Sequence, residues 1–283
     1  MRLDVKKTYK LFIGGKFPRS ESGRTYELTD SKGNHIANVA KASRKDVRDA
    51  VVAARSALAG WEGATTYNRG QILYRIAEML EGRKDQFIQE LRLQTGKSLA
   101  TATKEVENAI DSWVWHAGWS DKIDSVAGSM NPVAGPFFNI STNQPTGVVA
   151  AFAPQESGLV GLVNTIAPAI VSGNTVVVVA SEKLPLSAIT LAEVLETSDL
   201  PGGVVNILTG SAKELGSWLA SHLDVNAIDL EGSDSPAELE LLSAENLKRV
   251  IRPGVYPRQG ASGSLQHILD LMEVKTVWHP KGH

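Results

Sequence analysis

The groups that could do chemistry in this chain are few, and the most reactive one is missing. There is no cysteine in its 283 residues. Thiolate nucleophiles, disulfides and Cys-ligated metals are therefore excluded. The histidines stand at His35, His116, His222, His267, His279 and His283. They are scattered, and only His279 and His283 have metal-ligand spacing, in a terminal Pro-Lys-Gly context that reads as a solvated tail. Asp229, Glu231 and Asp234 form an acidic group at a strand end, read as a solvated loop in preference to a cation site. Ser233 follows Gly232 in a turn, with no His and Asp placed to activate it. Trp113, Trp115 and Trp119 could stack a base but read as helical core packing. Lys41, Arg44, Lys45 and Arg48 are interleaved with Asp46 and Asp49, the pattern of a solvated helix face.

The elements that must position these groups change character at Gly147. Before it, residues 11–18 read as a strand, a Gly14-Gly15 turn and a strand, and residues 26–39 as a second strand pair. Ser43 can cap a helix through Val47, Val51, Ala54 and Leu58 that ends at Gly60. Amphipathic helices are expected over 67–81, 85–95 and 97–120. Residues 131–143 read as a protruding hairpin.

From 147, continuously apolar strands alternate with helices. Strands are expected at 147–153, 175–180, 204–208 and 227–230, and helices at 159–171, 186–196, 213–221 and 236–244. This pattern predicts an α/β fold, a doubly wound, Rossmann-like parallel sheet covered on both faces. Ligands of such sheets sit at the carboxyl ends of the strands. After Val250 the alternation stops. Residues 252–263 read as a polar linker, 265–272 as a short helix and 273–278 as a last strand.

The net charge of −2 gives no basic field for nucleic acid. The apolar stretch 147–179 is broken by Pro154, Gln155, Glu156, Asn164, Pro168 and Asn174, so no membrane span is expected. The polar start carries no apolar leader segment, and a cytoplasmic location is the expectation.

Two strings carry a resemblance. Ser172-Gly173-Asn174-Thr175-Val176-Val177 is followed by Ser181-Glu182. Leu200-Pro201-Gly202-Gly203-Val204-Val205-Asn206-Ile207-Leu208-Thr209-Gly210 comes next. In this order and spacing they resemble the aldehyde dehydrogenase superfamily. Leu11-Phe12-Ile13-Gly14-Gly15-Lys16, Trp61, Arg69, Thr95-Gly96-Lys97, Ala117-Gly118-Trp119 and Gln144-Pro145-Thr146-Gly147-Val148-Val149 fall in family order. So do Gly263-Ser264-Leu265 and the tail from Met272 to Trp278. The resemblance implies a cofactor-domain type fold over 1–130 and 144–250. It implies an oligomerisation hairpin and strand at 131–143 and 264–283. The segment 251–263 stands where the family has its catalytic domain.

Aldehyde oxidation in that family needs a thiolate nucleophile, an oxyanion-stabilising amide and a general-base glutamate. The first is absent. At the place of the oxyanion asparagine the chain reads Pro154-Gln155-Glu156, where a carboxylate would repel a developing oxyanion. At the place of the base it reads Ile251-Arg252-Pro253-Gly254. The resemblance therefore assigns no catalytic residue. It implies cofactor contacts at Glu182, Gly210, Gly216, Gly232 and Ser233, the last two through backbone N–H groups. The family's ribose-binding lysine position is Val179, and Glu231 places negative charge near the phosphates. Tight binding of NAD or NADP is therefore not expected, although the resemblance allows either. The expected partner is a second copy of this chain or a full-length aldehyde dehydrogenase, with no nucleic acid and no membrane.

Overall fold

The computed structural model describes residues 7–30 and 32–282. The expectation for the polar start falls largely outside these residues, and His283 falls outside them too. The chain opens with β1 (Thr8–Tyr9), β2 (Thr25–Thr29) and β3 (His35–Ala40). Helices α1 (Arg44–Glu62), α2 (Thr66–Glu81), α3 (Lys84–Thr95), α4 (Leu99–Trp119) and α5 (Ile123–Ala127) follow. Next come β4 (Ser129–Asn131) and β5 (Phe137–Pro145). The alternating region supplies β6 (Val148–Phe152), α6 (Val160–Val171), β7 (Thr175–Val179), α7 (Leu186–Glu196), β8 (Val205–Leu208), α8 (Ala212–Ala220), β9 (Ala227–Asp229), α9 (Pro236–Ser243) and β10 (Arg249–Ile251). The tail adds α10 (Leu265–Asp270) and β11 (Met272–Pro280).

The large sheet is parallel throughout, in the order β10-β9-β6-β7-β8. Every residue of β6, β7 and β8 is buried, which is why these strands read as unbroken apolar runs. Alternate residues divide between two cores. Val148, Ala150 and Phe152 pack with Val47, Val51 and Ala54 of α1 and Leu215 and Leu219 of α8. Val149 and Ala151 pack with α6 and α7, backed by α2, α3 and α4. Helix α6 is apolar nearly all round and buried along its whole length, as expected for a helix with no solvent face. Each large apolar side chain so enclosed contributes about 1.5–3 kcal/mol.

Several expectations need correction. The fifth strand, β10, was not expected, because Arg249-Val250-Ile251 is too short to show a pattern. Gly60 does not end α1. The helix continues to Glu62 and Gly63 caps it, while Ser43 and Asp46 form a capping box at its start. Residues 11–18 do form the expected short hairpin about Gly14-Gly15, with Ile13 and Lys16 exchanging backbone hydrogen bonds of 2.9 and 3.0 Å and Leu11 N–H donating to the Pro18 carbonyl at 3.1 Å. What was not expected is that Phe12 and Ile207 also exchange backbone hydrogen bonds of 2.9 and 2.8 Å, which places this segment on the edge of β8. Trp113 is fully buried and Trp115 and Trp119 pack against the same core, as the helical spacing predicts.

The second sheet has the order β11-β5-β4 and is antiparallel throughout. Asn174 ties it to the large sheet. Its amide oxygen accepts from Gly147 N–H at 2.7 Å, and its Nδ2 donates to the Leu271 carbonyl at 2.8 Å. That buried amide is the physical use of the Ser172-Gly173-Asn174 string.

Candidate functional site

The chain runs β6, β7, β8 outward in one direction and then returns to lay β9 on the other side of β6. The switch in direction lies between β6 and β9, and their carboxyl ends are where an open sheet of this kind holds a ligand. Four loops converge there, after Phe152, Val179, Leu208 and Asp229.

The loops after β6 and β7 are tied by Gln155. Its Oε1 accepts from Glu182 N–H at 3.0 Å, its Nε2 donates to the Ala153 carbonyl at 3.2 Å, and its carbonyl accepts from Ser181 Oγ at 2.9 Å. Glu156 pairs with Lys183 on the surface, and both side chains are mostly exposed. A cleft of about 560 Å³ opens beside these loops, lined by Tyr26, Glu27, Gln155, Glu156, Glu182, Ala212 and Asp234 among others. Burial, and then the neighbouring Glu182 charge, push the Tyr26 phenol up, so it stays protonated. With Lys183 its only basic lining residue among the described residues, the cleft is acidic. That opposes a phosphate group and suits no oxyanion.

The five residues singled out by resemblance have these places. Glu182 lines the cleft, and its carbonyl accepts from Tyr26 Oη at 3.3 Å. Gly210 follows β8 with φ +127°, where a side chain would be strained. Gly216 lies inside α8, and a Cβ there would stand 3.0 Å from Leu239 of α9. Gly232 approaches β6 so closely that a Cβ would lie 1.9 Å from the Ala153 carbonyl oxygen. The N–H of Gly232 donates to the Phe152 carbonyl at 2.9 Å, and that of Ser233 to the Leu230 carbonyl at 3.0 Å. Both donors expected for a pyrophosphate are thus spent inside the protein. The loop after β9 lies directly on the end of β6, where the crevice would open.

A polar cluster that sequence reasoning missed occupies the same place. Asp229 is not a solvated loop residue; it is buried at the end of β9. Arg258, from the segment read as a linker, is buried with it. Its Nη2 donates to both Asp229 oxygens at 2.8 and 2.7 Å, and its Nη1 to the Asn164 carbonyl at 3.0 Å. Asn164 Nδ2 returns bonds to the Arg258 and Gly260 carbonyls, each 3.2 Å. Glu231 does not face a phosphate site. Its Oε2 accepts from Gly254 N–H at 2.8 Å and lies 3.8 Å from Arg258 Nε. His267 Nε2 is 3.5 Å from Asp229, with the Tyr256 ring stacked on the imidazole at 4.5 Å. Burial would raise the Asp229 carboxyl, but Arg258 and His267 hold it below the usual carboxylate range. Burial pushes the His267 imidazole down despite its contact with Asp229. His116, facing Gly263, is pushed down to about 4 by burial, and its Nδ1 donates to the Ser112 carbonyl at 2.8 Å. The signal available in sequence was Asp229 itself, since a carboxylate in an apolar strand needs a buried partner. No group of three metal-ligating side chains occurs among the described residues. No described helix is long and apolar enough to cross a membrane.

The profile of the aldehyde dehydrogenase family matches residues 17–252. The chain belongs to that family. It is 33% identical over 248 residues to "aldehyde dehydrogenase, cytosolic 1" of Elephantulus edwardii, covering 85% of this chain and 49% of that protein. It is 32% identical over 255 residues to retinal dehydrogenase 2 of Homo sapiens, covering 88% and 48%. Among solved structures it resembles an NAD+ complex of an aldehyde dehydrogenase from Bacillus cereus. The TM-score there is 0.81 at 28% identity, covering 86% of this chain and 50% of that one. The chain spans about half the length of the curated relatives it matches. Its five-stranded parallel sheet and flanking helices are the Rossmann-like, NAD-binding type domain of aldehyde dehydrogenases.

Proposed function

We propose that this chain is a non-catalytic aldehyde dehydrogenase-like subunit that assembles through its small sheet, with itself or with a full-length aldehyde dehydrogenase. The observation that carries the reading is the β11-β5-β4 sheet. From Glu273 onward β11 is exposed at every position, and its outer edge has no neighbouring strand among the described residues. Met130, Phe137, Phe138, Ile140, Val274, Val277 and Trp278 are all exposed on this one sheet. An uncovered strand edge of nine residues that exposes Val274, Val277 and Trp278 is a template for strand addition. Residues 131–143 and 264–283 serve as the assembly part, and residues 1–130 and 144–250 as the scaffold that presents it.

The non-catalytic half of the reading rests on the missing nucleophile and on Glu156 at the place of the oxyanion amide. Light scattering of the purified chain, alone and co-expressed with an active homologue, tests the assembly. A multimer or a co-purifying complex is expected, and a monomer in both cases overturns it. No aldehyde-dependent NADH formation above blank is expected from the isolated chain. Turnover by the isolated chain would replace this reading with that of an NAD(P)-dependent oxidoreductase. Turnover by a complex above that of the active homologue alone would favour partner-supplied catalytic residues.

A second reading, an NAD(P)-binding regulator without chemistry, is favoured by the family's cofactor-domain fold, against the acidic lining of the cleft beside Glu182. Its contacts would fall at Glu182, Gly210, Gly216, Gly232 and Ser233. Calorimetry with NAD+ and NADP+ separates the two readings, with no heat expected at millimolar cofactor. A cytoplasmic location accords with the cytosolic enzyme named among the relatives.

A further inference from the structure

We infer that the crevice between β6 and β9 is a guanidinium socket, filled by the chain's own Arg258, so that residues 252–263 act as a strap that is a built-in ligand of the sheet. The place is the one where an open parallel sheet holds its ligand. What stands there is a side chain delivered from a segment that is otherwise mostly exposed. In that segment Arg258 alone is buried, at 5% exposure.

The walls of the socket are acceptors. Asp229 presents two carboxylate oxygens, Asn164 a backbone carbonyl, and Glu231 a third carboxylate oxygen. Nη2 serves both Asp229 oxygens while Nη1, fixed in the same plane, reaches the Asn164 carbonyl; a planar fork makes both contacts at once, whereas an ammonium group acts as a point charge. The same walls repel phosphate. With Arg258 removed, two carboxylates would face the space, and His267, which burial keeps toward its neutral form, would be the one titratable nitrogen left touching Asp229 among the described residues. The remaining ionisable neighbours are Asp270, bonded through Tyr256, and His116 beneath Gly263. The socket therefore calls for a cation, and its geometry calls for a guanidinium.

The strap is fastened by more than Arg258. Gly254 donates to Glu231, and the Arg258 and Gly260 carbonyls accept from Asn164. Glu231 stands where the family resemblance has a threonine. In this chain its carboxylate anchors the strap, so the departure at 231 and the strap belong together. Among the described residues Arg258 Nε has no hydrogen-bond partner, and Glu231 lies 3.8 Å away. An untethered guanidinium ion is free to close that gap.

The test is chemical rescue. Arg258→Ala is expected to speed amide hydrogen exchange at Gly254, the strap N–H held by Glu231, by at least about tenfold more than at the β6–β8 amides. Millimolar guanidinium chloride should restore most of the protection, while equal concentrations of sodium chloride, methylammonium chloride or urea should not. Wild-type protein should not respond. Should Arg258→Ala fail to fold, Arg258→Lys keeps the charge and loses the fork, and added guanidinium should tighten its strap in the same selective way. The proposal is overturned if guanidinium protects neither variant, if methylammonium protects equally, or if the wild type responds as the variants do. None of these outcomes depends on whether the chain assembles.

Discussion

Arg258 and Asp229 are 29 residues apart in sequence, yet both Asp229 oxygens accept from one guanidinium nitrogen with the two side chains 4% and 2% exposed. The pair joins the last residue of β9 to a segment outside the sheet. It closes the crevice that the strand order creates.

Its energetics follow from burial. Removing one partner leaves an uncompensated charge away from water, so Arg258→Met should destabilise the protein by about 3–5 kcal/mol. Replacing both, with Arg258→Met and Asp229→Leu together, should recover most of that loss. Urea unfolding of the two single variants and the double variant measures the coupling. Additive losses would show that the two groups do not act as a pair.

Acid should weaken the fold before its carboxylates titrate. The His116 imidazole lies at about 4 in the folded chain against 6.5 when free. The folded value is the lower one, so the unfolded chain takes up the proton first as pH falls. The contribution is complete above 6.5 and is lost progressively toward 4. His267 is shifted in the same direction and adds to the slope. Asp229 is also lowered, so its contribution is present above 3.8 and is lost only at lower pH. Urea midpoints at about pH 7.5 and about pH 5 should differ in the wild type, and differ less in His116→Asn. Equal differences in the two proteins would remove His116 from the account.

Gly232→Ala should cost about 3 kcal/mol or prevent folding, because the added carbon would overlap the Ala153 carbonyl on β6. Gly60→Ala is the control. Nothing lies within 4 Å of its Cβ direction, and it sits inside α1. That change should stabilise by about 0.5–1 kcal/mol through lower backbone entropy. Thermal midpoints of the two variants should move in opposite directions.

Val277→Lys and Trp278→Lys should reduce any self-association while leaving the urea midpoint within about 0.5 kcal/mol of wild type, since both side chains are exposed. Light scattering reads the first effect and urea unfolding the second. A large fall in the midpoint would mean that these residues stabilise the single chain and do not serve assembly.

Much of the framework was legible because its signals are local. The unbroken apolar strings at Val148, Thr175 and Val205 belong to strands buried on both faces. The helices between them needed only spacing and caps. β10 was missed because three residues carry no period. Gly60 was misread because glycine inside a helix is tolerated at modest cost. Among the candidate contacts, Gly210 and Gly216 were visible as glycines, but not as a strained turn and a helix contact. Gly232 and Ser233 were visible as potential donors, but not that Phe152 and Leu230 already accept from them.

The sequence by itself determined the family, the parallel-sheet class, the missing thiol and the substituted positions 156 and 251–254. Each is a property of residue identity or of short-range periodicity. Only the tertiary structure decided what became of Asp229, Glu231 and Arg258. A charge read along the chain looks solvated because nothing nearby pairs with it. Its partner arrives from a distant segment, and the strand order brings them together. Once both are withdrawn from water, each carboxylate oxygen needs a donor, and Arg258 supplies it.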